Sequence, residues 1–67
     1  MHFEIYPDKA GEFRWRLVAA NGLTVADSGE GYYSVGNVRR AIARFKRACD
    51  TAPVVVEPKK PDLEQQP

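Results

Sequence analysis

The first part of the chain alternates between apolar and polar positions, the pattern of β-strands with one buried face. Two segments, residues 2–6 and 12–17, show this alternation without interruption. Their apolar positions, which we expect to face a core, are Phe3, Ile5, Phe13, Trp15 and Leu17. A shorter third segment carries Leu23 and Val25 and ends near Asp27. The pattern predicts a three-stranded antiparallel meander.

Turn-forming residues separate these three segments. Pro7, Asp8 and Gly11 lie between the first and the second, where proline presets φ and glycine supplies positive φ. Asn21-Gly22 lies between the second and the third and is the strongest short-range signal of a hairpin. It predicts a type I′ turn, which needs positive φ at both positions.

From Ser34 onward the apolar residues recur at helical spacing. They form one stripe of Val35, Val38, Ala41, Ile42, Phe45, Ala48 and Cys49. Ser34 is the predicted N-cap, because its hydroxyl can accept a hydrogen bond from an amide of the first turn. Asn37 is the competing cap, since Gly36 is unfavourable inside a helix. Pro53 predicts that the helix ends just before it.

The last part of the chain divides into a short apolar segment and a polar tail. Val54–Val56 is β-branched and predicts a fourth strand, added to the sheet of this chain or of a second copy. Residues 58–67 are rich in proline and charge and predict a disordered tail. We therefore expect one domain over residues 1–57, an α+β fold of order β-β-β-α-β in two layers. Its predicted core is Phe3, Ile5, Phe13, Trp15, Leu17, Leu23, Val25, Val38, Ile42 and Phe45.

Chain length limits how far such a domain can stabilise itself. The sequence has 67 residues, and a chain of this size needs a disulfide set, a metal or a partner. His2 and Cys49 are the only histidine and cysteine, which excludes a disulfide within the chain and a Cys/His zinc site. Self-association is the remaining support. The sequence therefore predicts a homodimer, with Val54–Val56 as its candidate interface.

Charge and hydropathy indicate a cytoplasmic, soluble protein. The net charge is +1, so the field of the whole molecule is weak. No apolar run approaches the roughly 20 residues that a membrane-spanning helix needs. The first residues lack the basic segment and apolar stretch of a signal peptide.

No residue pattern points to catalysis. Cys49 lies on the apolar helix stripe and is interpreted as a buried core cysteine, because burial and the negative end of the helix dipole disfavour a thiolate. Asp27 and Glu30 flank a polar loop and are interpreted as exposed acids. We expect no enzyme, no catalytic residue, no cofactor and no metal site.

The helix carries an unusual local excess of positive charge. Five basic residues fall within nine positions, with no acid among them: Arg39, Arg40, Arg44, Lys46 and Arg47. Such a patch could bind nucleic acid through its phosphates, independently of sequence. However, strand alternation turns Phe13 and Trp15 away from Arg14 and Arg16, so no aromatic rings accompany the charges. A solvated helix face is the favoured interpretation, and nucleic-acid binding is the alternative.

The motifs of residues 3–34 resemble those of a known family. They are F-E-I-Y-x-D-x-x-G-x-F-R-W-R-L-x-A-x-N-G, then A-x-S-G-E-G-Y, and a serine two positions later. The pattern is similar to that of the YegP-like family of small proteins of unknown function, over about residues 3–54. This chain departs from many relatives at the helix, where it has Ser34-Val35 and Arg40-Ala41.

The resemblance implies a β-β-β-α unit that occurs singly or in tandem, and homodimers where it occurs singly. It implies no activity, cofactor or catalytic residue. The roles it implies are structural: Asn21 and Gly22 in the hairpin turn, and Tyr32 and Ser34 at the helix entrance. The predicted function is that of a noncatalytic interaction or accessory domain. We expect it to form a homodimer with a second copy of the chain and to bind a further, unidentified protein.

Overall fold

The fold consists of three strands followed by one helix, as described for residues 1–59 in a computed structural model. The elements are β1 (His2–Pro7), β2 (Phe13–Val18), β3 (Thr24–Asp27) and α1 (Val35–Thr51). Strand β2 is central and pairs antiparallel with both neighbours. The predicted α+β class with a three-stranded meander and one helix is confirmed. Most of the predicted tail, residues 60–67, lies outside the described residues.

The core lies between one face of the sheet and α1. Trp15 on β2 is 4% exposed, and it packs with Val38 and Ile42 of α1. The Phe3 ring meets Trp15 edge-on, with ring centroids 5.5 Å apart, and the Phe45 ring lies 4.9 Å from Trp15. Aromatic pairs in such tilted arrangements add to the stabilisation from buried area. The predicted apolar faces of β1 and β2 are confirmed. The α1 stripe is confirmed in its middle part, Val38, Ala41, Ile42 and Phe45, whereas its ends, Val35, Ala48 and Cys49, are exposed.

The hairpin between β2 and β3 has a different turn from the predicted one. Within this turn only Gly22 has positive φ, at 88°, and Asn21 does not. The Gly22 amide donates to the Ala19 carbonyl, and the Ala19 amide donates to the Leu23 carbonyl, both at 2.9 Å. These bonds enclose a three-residue loop that ends in a glycine with positive φ, a common alternative to the two-residue turn. The predicted type I′ turn is therefore wrong, although the hairpin itself is confirmed.

The predicted burial of Leu23 and Val25 is also wrong. Leu23 is 66% exposed and Val25 is 55% exposed. The register between β2 and β3 shifts at Leu17/Val18, so that Ala26 lies opposite Leu17 and Val25 is the additional residue. Directly opposite residues of antiparallel strands share a face, so Ala26 takes the core position. Leu23 lies at the end of the hairpin, beside its turn.

The helix begins and ends where the sequence indicates. Ser34 is the N-cap, and its hydroxyl accepts a hydrogen bond from the Asn37 amide at 3.2 Å. Asn37 is thus a helical residue and not the cap. Ala52 is the C-cap, directly before Pro53. No helix in residues 1–59 has the length and apolar character to cross a bilayer.

The valine segment forms no strand within this chain. Val54, Val55 and Val56 follow the helix without regular secondary structure and are 92%, 78% and 86% exposed. Pro53 and Glu57, on either side, are exposed as well. The segment therefore gains nothing from the core of its own chain.

Candidate functional site

The five basic residues of α1 are all exposed. No carboxylate lies within 4 Å of any of them among the described residues. Asp50 is the only acidic residue of α1. The Arg40 guanidinium donates to the side-chain oxygen of Asn37, a neutral partner that leaves its charge uncompensated. The helix thus presents a positive surface to solvent.

The arginines of the sheet are arranged differently. Arg16 donates to the Glu4 carboxylate at 2.7 Å, directly across the β1–β2 pair, and its guanidinium lies 4.4 Å from the centre of the Tyr6 ring. Arg14 donates to the Asp8 carboxylate at 2.9 Å. Their charges are balanced by the acids on the same face. Sequence counting alone would have added them to the basic surface, but the ion pairs remove them from it.

Asp8 holds the turn between β1 and β2 together. One oxygen of its carboxylate accepts from the amides of Ala10 and Glu12, both at 2.9 Å, and the other accepts from Arg14. The Asp8 amide in turn donates to the Glu12 carbonyl at 2.7 Å. The hydrogen bond from Arg14, followed by that from the Glu12 amide, lowers the pKa of Asp8 below its ordinary value. This network is structural, since it joins the ends of two neighbouring strands.

Replacing Asp8 with asparagine should therefore destabilise the fold in a pH-dependent way. Because the pKa of Asp8 is lower in the folded chain, its contribution is complete above the unfolded value of about 3.9 and is lost as pH falls through the folded value. We expect a lower urea midpoint for Asp8→Asn at about pH 7, and a difference from the wild type that shrinks as the pH is lowered below the unfolded value. Asp27→Asn is the control, because Asp27 is exposed and makes no ion pair among the described residues. A constant difference across this pH range would contradict the role of the carboxylate charge.

A shallow groove runs between β1 and α1, and we call it the β1 groove. One part is lined by Phe3, Ile5, Arg39, Ile42, Ala43 and Lys46. The other part is lined by Met1, His2, Phe3, Leu17, Phe45, Lys46 and Cys49. The floor is mostly apolar, and Arg39 and Lys46 supply positive charge. The Lys46 ammonium lies 5.4 Å from the centre of the Phe3 ring. Sequence analysis missed this groove, because it exists only where the helix leaves β1 partly uncovered.

The structure corrects the interpretation of Cys49. Its thiol is not buried in the core but exposed, and it lines the end of the β1 groove. Position 49 lies near the end of the helix, where the sheet no longer covers the apolar stripe. His2 is also exposed and hydrogen-bonds to the Glu4 carboxylate at 2.9 Å. No group of three or more potential metal ligands occurs among residues 1–59.

The two tyrosines before α1 have different surroundings. Tyr32 pairs with Phe13 through two backbone hydrogen bonds of 2.7 and 2.8 Å, and its ring packs against the core. Burial, followed by a hydrogen bond with Glu30, raises the pKa of its phenol. Tyr33 is 88% exposed. Tyr32 thus fixes the entrance of the helix against β2, and Tyr33 is free for solvent or a partner.

Comparison with known proteins finds relatives that match most of this chain. The sequence profile described as Domain of unknown function (DUF1508) matches residues 8–55. A UPF0339 protein of Neisseria meningitidis serogroup B is 48% identical over 54 residues, which cover 81% of this chain and 95% of that protein. A UPF0339 protein in the ptx operon 5′ region of Stutzerimonas stutzeri is 67% identical over 45 residues, which cover 67% of this chain and 40% of that protein.

A solved structure has the same fold. It is the NMR solution structure of a protein from Haloferax volcanii, with a TM-score of 0.78 and 45% sequence identity. The match covers 84% of this chain and 93% of that chain. Sequence profile, relatives and fold agree with the motifs of residues 3–34. The chain belongs to the DUF1508 family, the YegP-like proteins of unknown function.

Proposed function

We propose that the protein is a noncatalytic interaction domain that acts in the cytoplasm as a homodimer. Its two copies associate through the valine segment, Val54–Val56. The segment of one copy adds to β1 of the other, and the side chains on its α1-facing side enter the β1 groove. The surface of this dimer then binds a further protein partner.

The exposed valine segment carries this proposal. Three consecutive β-branched residues, each at least 78% exposed, follow the helix without contact to their own core. Burying an exposed valine side chain stabilises by about 1.5 kcal/mol. The described part of the chain buries few apolar side chains, namely Trp15, Val18, Val38, Ala41 and Ile42. A second copy would add the missing burial to a domain that is too small to be very stable alone.

Strand β1 is the better of the two sheet edges for such an addition. It has six residues in regular register with β2, from His2 opposite Val18 to Pro7 opposite Phe13. Strand β3 has four residues, and the register shift interrupts its pairing. Short strands and bulges protect an edge from pairing with another chain, whereas a longer regular edge invites it.

The charges of the β1 groove also suit the valine segment. Glu57 directly follows the three valines, and Arg39 and Lys46 line the groove. An apolar strand that ends in a carboxylate therefore complements an apolar floor with two cations. The Stutzerimonas relative adds support, because more than half of that protein lies outside the match and leaves room for a second unit of this size.

Replacing Val55 with lysine should weaken dimerisation, because it places a flexible charge where the proposed interface buries a valine. We expect the wild-type chain to sediment as a dimer at micromolar concentration and Val55→Lys to sediment mainly as a monomer. Val25→Lys is the matched control, since it makes the same change at an exposed valine of β3.

The outcomes separate the two parts of this proposal. A wild-type chain that sediments as a monomer would contradict the proposed homodimer. A dimer that survives Val55→Lys would remove the valine segment from its interface. Loss of the dimer in Val25→Lys alone would move the interface to β3. Far-ultraviolet circular dichroism of each variant shows whether the domain itself has remained folded.

The basic surface of α1 supports a second candidate function, weak sequence-independent binding of nucleic acid. The observation that favours it is the contrast between helix and sheet: Arg14 and Arg16 are paired with carboxylates, whereas no carboxylate within residues 1–59 pairs with a basic residue of the helix. The residues concerned are Arg39, Arg40, Arg44, Lys46 and Arg47. Unpaired guanidinium groups are available for phosphate without first breaking an ion pair.

A further inference from the structure

Three arginines on the outward side of α1 are set apart from the other two basic residues of the helix. We infer that Arg40, Arg44 and Arg47 form a row that binds the phosphate backbone of double-stranded nucleic acid. This inference rests on the second candidate function and narrows its site from five residues to three. It also leaves that site open in a dimer that forms through the β1 groove.

The β1 groove separates Arg39 and Lys46 from this row. Both residues line the groove, together with Phe3 of β1. The Lys46 ammonium lies over the Phe3 ring, where part of its hydration is replaced by an aromatic face. These two cations therefore face toward β1, while the row lies farther around the helix. A duplex, which is far wider than a side chain, would not reach the floor of the groove when placed against the row.

The spacing of the row suits a phosphate backbone. Arg40 and Arg44 are four residues apart, and Arg44 and Arg47 are three apart, so neighbouring side chains lie on one side of the helix. The row spans about 10 Å at about 1.5 Å per residue. A duplex carries one charge per about 1.7 Å of its axis, so several phosphates lie within that span. Guanidinium groups can bind phosphate oxygens in bidentate fashion, which holds them in register.

The surroundings of the row favour nucleic acid over a membrane surface. A helix that lies on a membrane inserts its apolar face between the lipids. In α1 that face is occupied by the sheet, since Val38 is fully buried and Ile42 is 9% exposed. The row also lacks the aromatic rings on which the bases of a single strand would stack. Tyr33, the exposed ring nearest in sequence, precedes the helix.

A titration with matched charge variants tests the row. A fluorescently labelled duplex of about 20 base pairs is titrated with the full chain, and anisotropy is measured between about 50 and 200 mM salt. Three phosphate contacts predict a slope of about −2.7 in log K against log salt, or a loss of about 40-fold over this range. Arg40→Gln/Arg47→Gln should reduce the slope to about −0.9.

Arg39→Gln/Lys46→Gln is the control, because it removes the same two charges from the same helix but from the side of the β1 groove. We expect it to keep the wild-type slope. An equal reduction of the salt slope in both variants would contradict the proposed row and would show that the charges of the whole helix contribute to binding. No wild-type binding at the lowest salt would overturn the second candidate function itself.

Two competing ligands complete the test. Tighter binding of the single strand than of the duplex, lost in Tyr33→Ala, would overturn backbone binding in favour of stacking. Binding to vesicles of anionic phospholipid without binding to the duplex would assign the row to a membrane surface instead. Stronger binding of the duplex than of either ligand, together with the split between the two charge variants, supports the row.

Discussion

Replacing Trp15 with alanine is expected to destabilise the domain by about 3–5 kcal/mol. Trp15 is 4% exposed and touches both layers of the fold, with its ring between Phe3 of β1 and Phe45 of α1. Alanine leaves a cavity that the surrounding side chains refill only in part. A chain of 67 residues has a free energy of unfolding of only about 3–10 kcal/mol. The variant should therefore lose a large share of its stability, and all of it if the wild type lies at the lower end of this range.

Urea denaturation followed by circular dichroism measures this effect. Fluorescence does not serve, because Trp15 is the only tryptophan. Tyr33→Ala is the control, since it truncates another aromatic residue that is 88% exposed, and its unfolding free energy should stay within about 0.5 kcal/mol of the wild type. A Trp15→Ala chain as stable as this control would show that the helix does not depend on Trp15 for its packing.

Replacing Val38 with aspartate should have an effect of similar size for a different reason. Val38 is the one fully buried side chain in the described part of the chain, at 0% exposed. A carboxylate at this position must lose its hydration without gaining a partner, or take up a proton, and either costs several kcal/mol. We expect no cooperative unfolding transition near neutral pH, measured by thermal circular dichroism.

The same substitution three residues earlier in the helix supplies a matched control. Val35 lies in the first turn of α1 and is 36% exposed. An acidic side chain there stays hydrated and interacts favourably with the positive end of the helix dipole. Val35→Asp should therefore melt close to the wild type. Similar melting temperatures for the two variants would contradict the position of Val38 at the centre of the interface between sheet and helix.

Local rules were sufficient for most elements of this fold. The alternation of Phe3, Ile5, Phe13, Trp15 and Leu17 predicted the inner face of β1 and β2, and the structure confirms it. The cap at the start of α1 and the proline after it were equally informative, because caps and proline act on their immediate neighbours. These signals depend on a few adjacent residues and therefore hold whatever tertiary structure the rest of the chain adopts.

Errors arose where one strand meets another. The alternation of Leu23 and Val25 is a valid strand pattern, but it does not determine whether the odd-numbered or the even-numbered residues of β3 face the core. The bulge at Val25 changes that parity within one residue and gives the core position to Ala26. The predicted burial of Cys49 was wrong for a related reason. The apolar stripe of the helix extends beyond the end of the sheet, so no strand covers this residue.

Candidate sites followed the same division. The sequence identified the five basic residues of α1, but it does not decide whether the charges of Arg14 and Arg16 on β2 are available to a ligand. The structure pairs these two with Asp8 and Glu4 across the β1–β2 hairpin. Ion pairs of this kind depend on the register between the two strands, and the amino-acid composition does not determine that register.

The amino-acid sequence was enough to establish the three-stranded meander, the helix and its boundaries, the family and the presence of a basic helix, but not a strand at Val54–Val56. Each of these follows from the chemistry of neighbouring residues or from motifs within residues 3–34. The inward parity of β3, the pairing of the sheet arginines and the β1 groove depended on the folded chain. They arise from contacts between residues far apart in sequence, and a shift of one residue in register is enough to change them.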